Sequence, residues 1–241
     1  MNERTSGLVM RVRPLTDTSL IVHWLTPDLG RIATVAKGAR QPKSPFAGKL
    51  DLCFGAEFSF VRSRRSELHA LREVVVRETH PGLRADHGLL VQAAYAVAFI
   101  EQVTETETPL PEIHDVLAGF LAHLPSQPPR PRSVFAFELK ILAASGLAPD
   151  AGASGLRPGS CNLLGQLTDA EWSDLAELRP TAPDARAVRD FLHGFILQHC
   201  QKIPRGRAEA LRAGTEEWSS AAQAPKATAE AVTEATRTQP S

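Results

Sequence analysis

The chain has 241 residues, 43% hydrophobic and 22% charged, with 27 Lys/Arg against 27 Asp/Glu. These are ordinary globular values, and the length allows one large domain or two small ones. Three cysteines, Cys53, Cys161 and Cys200, are far apart and odd in number, which excludes a disulfide framework and fits a reducing compartment.

The overall neutrality hides a split. Residues 1–80 hold 13 Lys/Arg against 8 Asp/Glu and residues 81–241 hold 14 against 19, so the first third is net +5 and the remainder net −5. The polar start, Met1–Ser6, has no apolar core of the kind a signal peptide needs. The most apolar stretch, Leu89–Val103, is too short for a bilayer and is interrupted by Gln92 and Glu101.

In chain order, the basic third reads as five short strands. Gly7–Arg13 alternates, with Leu8, Met10 and Val12 on one side and Val9, Arg11 and Arg13 on the other. Leu20–Leu25 is apolar on both faces except at His23. A turn at Pro27-Asp28-Leu29-Gly30 leads into Arg31–Ala36. A loop rich in Lys, Arg, Pro and Gly spans Lys37–Lys49. Phe54, Ala56, Phe58 and Phe60 line one face of a fourth strand, and Glu67–Thr79 is the fifth. Five short antiparallel strands in this length predict a small Greek-key barrel of the OB type, with an SH3-like barrel as the competitor.

After Pro81-Gly82 the period changes to that of helices. Leu89–Val103 is the first, Pro109 and Pro111 open a second running to about Leu124, and Gln127–Pro131 is a connection. Arg132–Ser145 is a third helix, stopped by Gly146. Thr168-x-x-Glu171 has the form of a capping box opening a short helix. Asp184–Gln201 is the clearest helix, with Val188, Phe191, Leu192, Phe195 and Ile196 on one face. The Ala-, Thr-, Glu- and Ser-rich end predicts a disordered tail. The expected class is α+β: an OB-fold at residues 1–80, a helical domain at 81–205, and the tail at 206–241.

Four kinds of chemistry are open to these residues. The basic set Arg11, Arg13, Arg31, Lys37, Arg40, Lys43, Lys49, Arg62, Arg64 and Arg65 suits backbone phosphates, which need long cationic side chains spread along a groove. Between Arg31 and Arg65 there are 8 basic residues against 2 acidic ones, a strong local bias; the plainer reading is that these charges only solvate the surface of a small scaffold. Phe46, in the basic loop, either stacks on bases or plugs the barrel mouth. Cys161, Cys200, His193 and His199 lack the paired spacing of a zinc site, so no metal is expected. No nucleotide-binding, hydrolase or metalloprotease motif is present, and Glu105/Glu107 and Glu216/Glu217 read as solvated surface. Nothing argues for an enzyme or a cofactor. Arg132, Phe135, Phe137, Leu139 and Lys140 mix apolar bulk with cations, as a groove for an acidic peptide does; the plainer reading is core with surface charges.

These residues together resemble the RecO recombination mediators. The likeness runs through Gly7–Pro14, Asp17–Val22 and Thr26–Gly30, and is most specific at Ala36-Lys-Gly-Ala-Arg40 continuing to Lys43-Ser-Pro-Phe46. It continues through Thr79–Arg84, Phe135–Leu147 and Phe191–His199, covering about residues 4–205. The resemblance implies an N-terminal OB-fold, binding of single- and double-stranded DNA, strand annealing, and recombinase loading onto strands coated by single-strand-binding protein. It also implies two partners, RecR and the acidic, apolar-ended tail of single-strand-binding protein, and a bacterial, cytoplasmic, nucleoid-associated setting with no membrane. Lys37, Arg40 and Lys43 match the family's basic loop, and Arg132 and Lys140 are the positions for the tail. Many members carry a four-cysteine zinc module after the central helix; here Ala148–Leu167 holds only Cys161. The rival from another class is an OB-fold RNA-binding or translation-associated module, because phosphate contacts do not distinguish the two nucleic acids.

Overall fold

A computed structural model describes residues 2–150, 152 and 155–213. Five strands, β1 (Asn2–Pro14), β2 (Leu20–Thr26), β3 (Gly30–Ala36), β4 (Gly55–Val61) and β5 (Leu68–Glu78), close a barrel in the order β1-β2-β3-β5-β4. All neighbours are antiparallel except β3 with β5. That order, with β1 long enough to pair with both β2 and β4, is the OB topology.

The barrel interior is aromatic. Trp24 stacks on Phe58 with ring centroids 4.1 Å apart, and its indole N–H donates to Thr34 Oγ1 at 2.9 Å. Val9, Val22, Ile32 and Phe60 pack around them. The simple alternation expected for β1 fails at a bulge between Val9 and Arg11. An inserted residue shifts the side-chain phase, so Val9 and Val12 both meet the barrel core while Leu8 and Met10 join the helical core outside it.

The helical body comprises α1 (His87–Val103), α2 (Pro111–His123), α3 (Pro131–Ala144), α4 (Pro158–Asp169), α5 (Ala182–Cys200) and α6 (Arg207–Arg212). Proline near the first position opens α2, α3, α4 and α5, where its missing N–H has no helical partner to lose. The Asp86 carboxylate caps α1 by accepting from Gly88 N–H, and Thr181 Oγ1 caps α5 by accepting from Asp184 N–H. Past α3 the chain turns at Gly146, φ +73°, with Leu147 N–H returned to Leu142 O at 2.8 Å.

Two expectations are corrected. Thr168 opens no helix: it lies in the last turn of α4 and its hydroxyl donates to Leu164 O. The Gly- and Pro-rich run that hid α4 still supplies Leu163, Leu164 and Leu167 to the core. The expected tail also begins too early, because residues within 206–213 form α6, whose Ala210 and Leu211 are buried. The remainder of that tail, 214–241, lies outside the described residues.

Barrel and helices share one core, since Leu8, Met10, Leu25 and Cys53 cluster with the helical residues. A strap after α1 strengthens the joint. Arg31 forms a parallel bridge with Thr106, Glu107 N–H donates to Arg31 O at 2.8 Å, and the Arg31 guanidinium donates to Thr104 O at 2.5 Å. Gly30 sits at φ +67° directly beneath this strap, and a methyl group there would overlap the Thr108 carbonyl. Gly30→Ala should therefore cost about 2–3 kcal/mol, from positive φ and backbone collision together. A denaturant midpoint unchanged from wild type would show that the strap yields freely.

Candidate nucleic-acid interface

The register of β2 and β3 defines an outer face. Val22, Trp24, Ile32 and Ala36 point into the barrel, so Ile21, His23, Ala33 and Val35 stand on the opposite side, none of them fully buried. His23 pairs with Ala33 and Ile21 with Val35; across the other edge, Arg11 lies beside His23 and Arg13 beside Ile21. The face is thus small and apolar at its centre and cationic along its β1 side. Lys37 follows the last residue of β3, and the β4–β5 turn carries Arg64 and Arg65 near the start of β5.

The basic loop is anchored. Phe46 is buried in the barrel cluster, so it plugs the mouth and is not available for stacking. Successive turns at Gln41, Ser44, Ala47 and Lys49 give the loop a defined path. Arg40 N–H donates to Thr18 O at 3.0 Å and its guanidinium to Thr16 O at 3.1 Å, fastening the loop to the β1–β2 turn. Lys37, Arg40 and Lys43 are exposed and Lys49 is partly so. Beside them Leu15 is 45% exposed.

The structure divides the ten cations expected to bind phosphate. Arg13, Lys37, Arg40, Lys43, Lys49, Arg64 and Arg65 meet no carboxylate among the described residues. Arg11 pairs with Glu101 of α1, and Arg62 reaches Glu3 at 3.0 Å and Glu107 at 3.3 Å. Arg31 is half-buried under the strap, where desolvation lowers its pKa. Those three arginines tie the barrel to itself and to the helices. Glu107, read as solvated surface, is part of the tie and also contacts buried His69 at 3.0 Å.

His23 is a site residue the sequence did not single out, although its place as the one polar residue in an apolar strand was a signal. Its Nε2 accepts from Arg13 at 3.0 Å, so the proton sits on Nδ1. Partial burial first, then the charges of Arg13, Arg11 and Arg31, push its pKa down to about 4. The unfolded chain takes up this proton near pH 6.5, so stability is complete above that value and is lost as pH falls towards about 4. A polyanion lying over the same face opposes the arginine charges and should raise the pKa. NMR titration of the His23 ring should show an upward shift in the complex with an oligonucleotide; an identical titration curve with and without it would place the nucleic acid elsewhere.

In the helical body, Arg132 and Lys140 meet no carboxylate among the described residues, and both are held against neutral groups. Arg132 donates to Leu178 O at 2.8 Å and Gln127 Oε1 at 2.7 Å, and Lys140 lies 5.4 Å above the Trp172 ring with Thr168 O at 3.4 Å. A cavity is faced by Arg186 and Arg189 of α5 and Arg212 of α6, of which Arg189 also pairs with Asp190 at 2.7 Å and Arg212 with Glu209 at 3.0 Å. Arg186, Arg189 and His193 recur at i, i+3 and i+7 along one face, a spacing legible in the sequence but passed over there. They border a groove of about 660 Å³ between α3, α5 and α6, with Phe135, Ile203 and Leu211 among its apolar lining. Beneath it Arg207 forms a two-pronged pair with Glu138, at 2.7 and 2.9 Å, and Tyr95 donates to the same carboxylate at 2.5 Å. Among the described residues no three His, Cys, Asp or Glu side chains gather as metal ligands, and no helix is long and apolar enough to cross a membrane.

Comparison with known proteins accords with this architecture. Residues 1–80 match the family profile "Recombination protein O N terminal" and residues 84–154 match "Recombination protein O C terminal". The protein named DNA repair protein RecO from Anaeromyxobacter dehalogenans is 33% identical over 231 residues, covering 81% of this chain and 91% of that one. Its namesake from Myxococcus xanthus is 32% identical over 159 residues, or 66% of this chain and 62% of the relative. One from Rhodopirellula baltica is 29% identical over 143 residues, 59% and 53% of the two chains. With an OB barrel, a helical body behind it and these matches along most of its length, the chain belongs to the RecO family of DNA repair and recombination proteins.

Proposed function

We propose that this protein is a non-enzymatic recombination mediator that binds single- and double-stranded DNA, anneals complementary strands, and helps load recombinase onto strands coated by single-strand-binding protein. The observation that carries the reading is a set of cations with no carboxylate partner among the described residues: Arg13 on the β1 side of the β2–β3 face, Lys37 after the end of β3, Arg40, Lys43 and Lys49 on the anchored loop, and Arg64 and Arg65 in the β4–β5 turn. Cations spread around one face neutralise phosphates on two strands at once and lower their mutual repulsion. Ile21 and Val35 offer apolar contact to unstacked bases without selecting a sequence.

The acidic, apolar-ended tail of single-strand-binding protein fits the α3–α5–α6 groove better than it fits Arg132 or Lys140. Its carboxylates would meet Arg186 and Arg189, and its apolar end the Phe135 and Ile203 side. Such capture localises the protein on coated DNA by raising its effective concentration. RecR is the expected further partner.

The test is annealing of two complementary oligonucleotides coated with single-strand-binding protein. Acceleration is expected with the intact coat and is expected to drop at least tenfold with a coat lacking its acidic tail or with Arg186→Glu. No acceleration with the intact coat, together with tight binding of structured RNA, would overturn the mediator reading in favour of an RNA-binding module.

A further inference from the structure

We propose that the chain's own segment Glu216-Glu217-Trp218 docks in the α3–α5–α6 groove and so competes in cis for the surface assigned above to the partner's acidic tail; the identity of that competitor rests on the preceding reading. The groove asks for an occupant with negative charge at its rim and an apolar group at its base: Arg186, Arg189 and Arg212 line it with one carboxylate, Asp190, beside Phe135, Ile203 and Leu211, and although Arg189 pairs with Asp190 at 2.7 Å and Arg212 with Glu209 at 3.0 Å, Arg186 meets no carboxylate among the described residues. The sequence after α6 supplies that chemistry. Residues 213–241 contain one aromatic side chain, Trp218, and it follows directly on the acidic pair Glu216-Glu217. The other acidic residues of this stretch, Glu230 and Glu234, stand among Ala, Thr and Val with no aromatic neighbour.

Connectivity argues the same way. Helix α6 ends at Arg212, itself a lining residue of the groove. Glu216 follows four residues later, within about 14 Å of Arg212 even when the chain is fully extended. A tether of that length holds the segment at an effective concentration in the millimolar range. A cis ligand of weak intrinsic affinity then suffices to compete with a partner peptide in trans. The groove would open to that partner only when many tails are presented together, as on a coated strand. Free single-strand-binding protein would be ignored.

The experiment uses the full chain and two readouts. Trp218 emission, isolated by subtracting a Trp218→Phe variant, is quenched with acrylamide in wild type and in Arg186→Glu/Arg189→Glu. Quenching is expected to rise at least threefold in the double variant, and to fall back when Glu216→Arg/Glu217→Arg is added, since swapped charges restore the contact. Second, a fluorescein-labelled peptide of three Asp residues ending in Phe is titrated against wild type and against Glu216→Gln/Glu217→Gln/Trp218→Ala. It should bind the tail variant 10- to 100-fold more tightly.

Equal quenching of Trp218 in wild type and the arginine variant, with equal peptide affinity for both tail forms, overturns the cis contact and leaves the tail-capture reading standing. Shielding that depends on the arginines, with no peptide binding to either tail form, upholds the cis contact and sinks the tail-capture reading. Unshielded Trp218 and no peptide binding at all overturns both.

Discussion

Replacing Lys37, Arg40 and Lys43 together by Ala is expected to flatten the slope of log affinity against log salt by about 2–3 units, because each lost phosphate contact removes close to one released counterion. At physiological salt the same change should weaken oligonucleotide binding on the order of 100-fold, equally for all sequences. The three side chains are exposed and held on a loop whose path is set by Phe46 and the Arg40–Thr16 contact. Lys37 and Lys43 make no side-chain hydrogen bond or ion pair among the described residues, so the barrel should remain intact, with only the Arg40 tether lost. Arg62→Ala is the control. Its guanidinium is held by Glu3 and Glu107, so it should lower stability modestly and leave the salt slope nearly unchanged. Equal slopes for the triple variant and wild type would refute the assignment of the loop to phosphate.

The largest stability effect should come from the buried pair beneath the groove. Glu138 and Arg207 are almost fully shielded from solvent, at 0% and 4% side-chain exposure. Arg207→Ala leaves a carboxylate in the core with only Tyr95 as donor, a loss of about 3–5 kcal/mol. In a protein of this size that corresponds to a fall in Tm of roughly 10 °C. Tyr95→Phe removes one hydrogen bond and should cost less, about 1–3 kcal/mol. Glu138→Leu combined with Arg207→Met removes both charges together and should recover most of the loss of Arg207→Ala. A single Arg207→Ala variant within ~1 kcal/mol of wild type would mean that water reaches the pair.

What the sequence disclosed follows from which interactions are local. The apolar run of β2, the turn ahead of β3 and the alternation in β4 located the barrel walls, the apolar stripes located α1 and α5, and proline and glycine punctuation located α2 and α3, because each signal lies within a few residues. The bulge in β1 broke the alternation, since an inserted residue is set by the partner strand and leaves no mark of its own. Helix α4 was hidden because Gly159 and Gly165 lower its propensity while Leu163, Leu164 and Leu167 are held by tertiary burial. Among the cations, charge counting found the basic third but could not separate Lys43 from Arg31, because the Thr104 carbonyl that engages Arg31 is 73 residues away. Phe46 left two readings open, and burial settled it as a plug. The groove on α5 needed α3 and α6 to be brought together, and α6 lay where the chain was expected to be unstructured.

The strap after α1 has a consequence for how the molecule can be divided. Strand β3 pairs with β5 only from Ala33 onward, leaving the stretch Gly30–Ile32 with an open edge that Thr106 and Glu107 occupy. Cut after residue 80, the barrel would carry that edge bare, beside the uncovered side chains of Leu8, Met10 and Leu25. Unpaired backbone flanked by apolar surface is a template for a second chain. The first eighty residues are recognisable as a module, yet they are not a portable one. A fusion or a transplant of this barrel would have to take the strap with it or accept self-association in exchange.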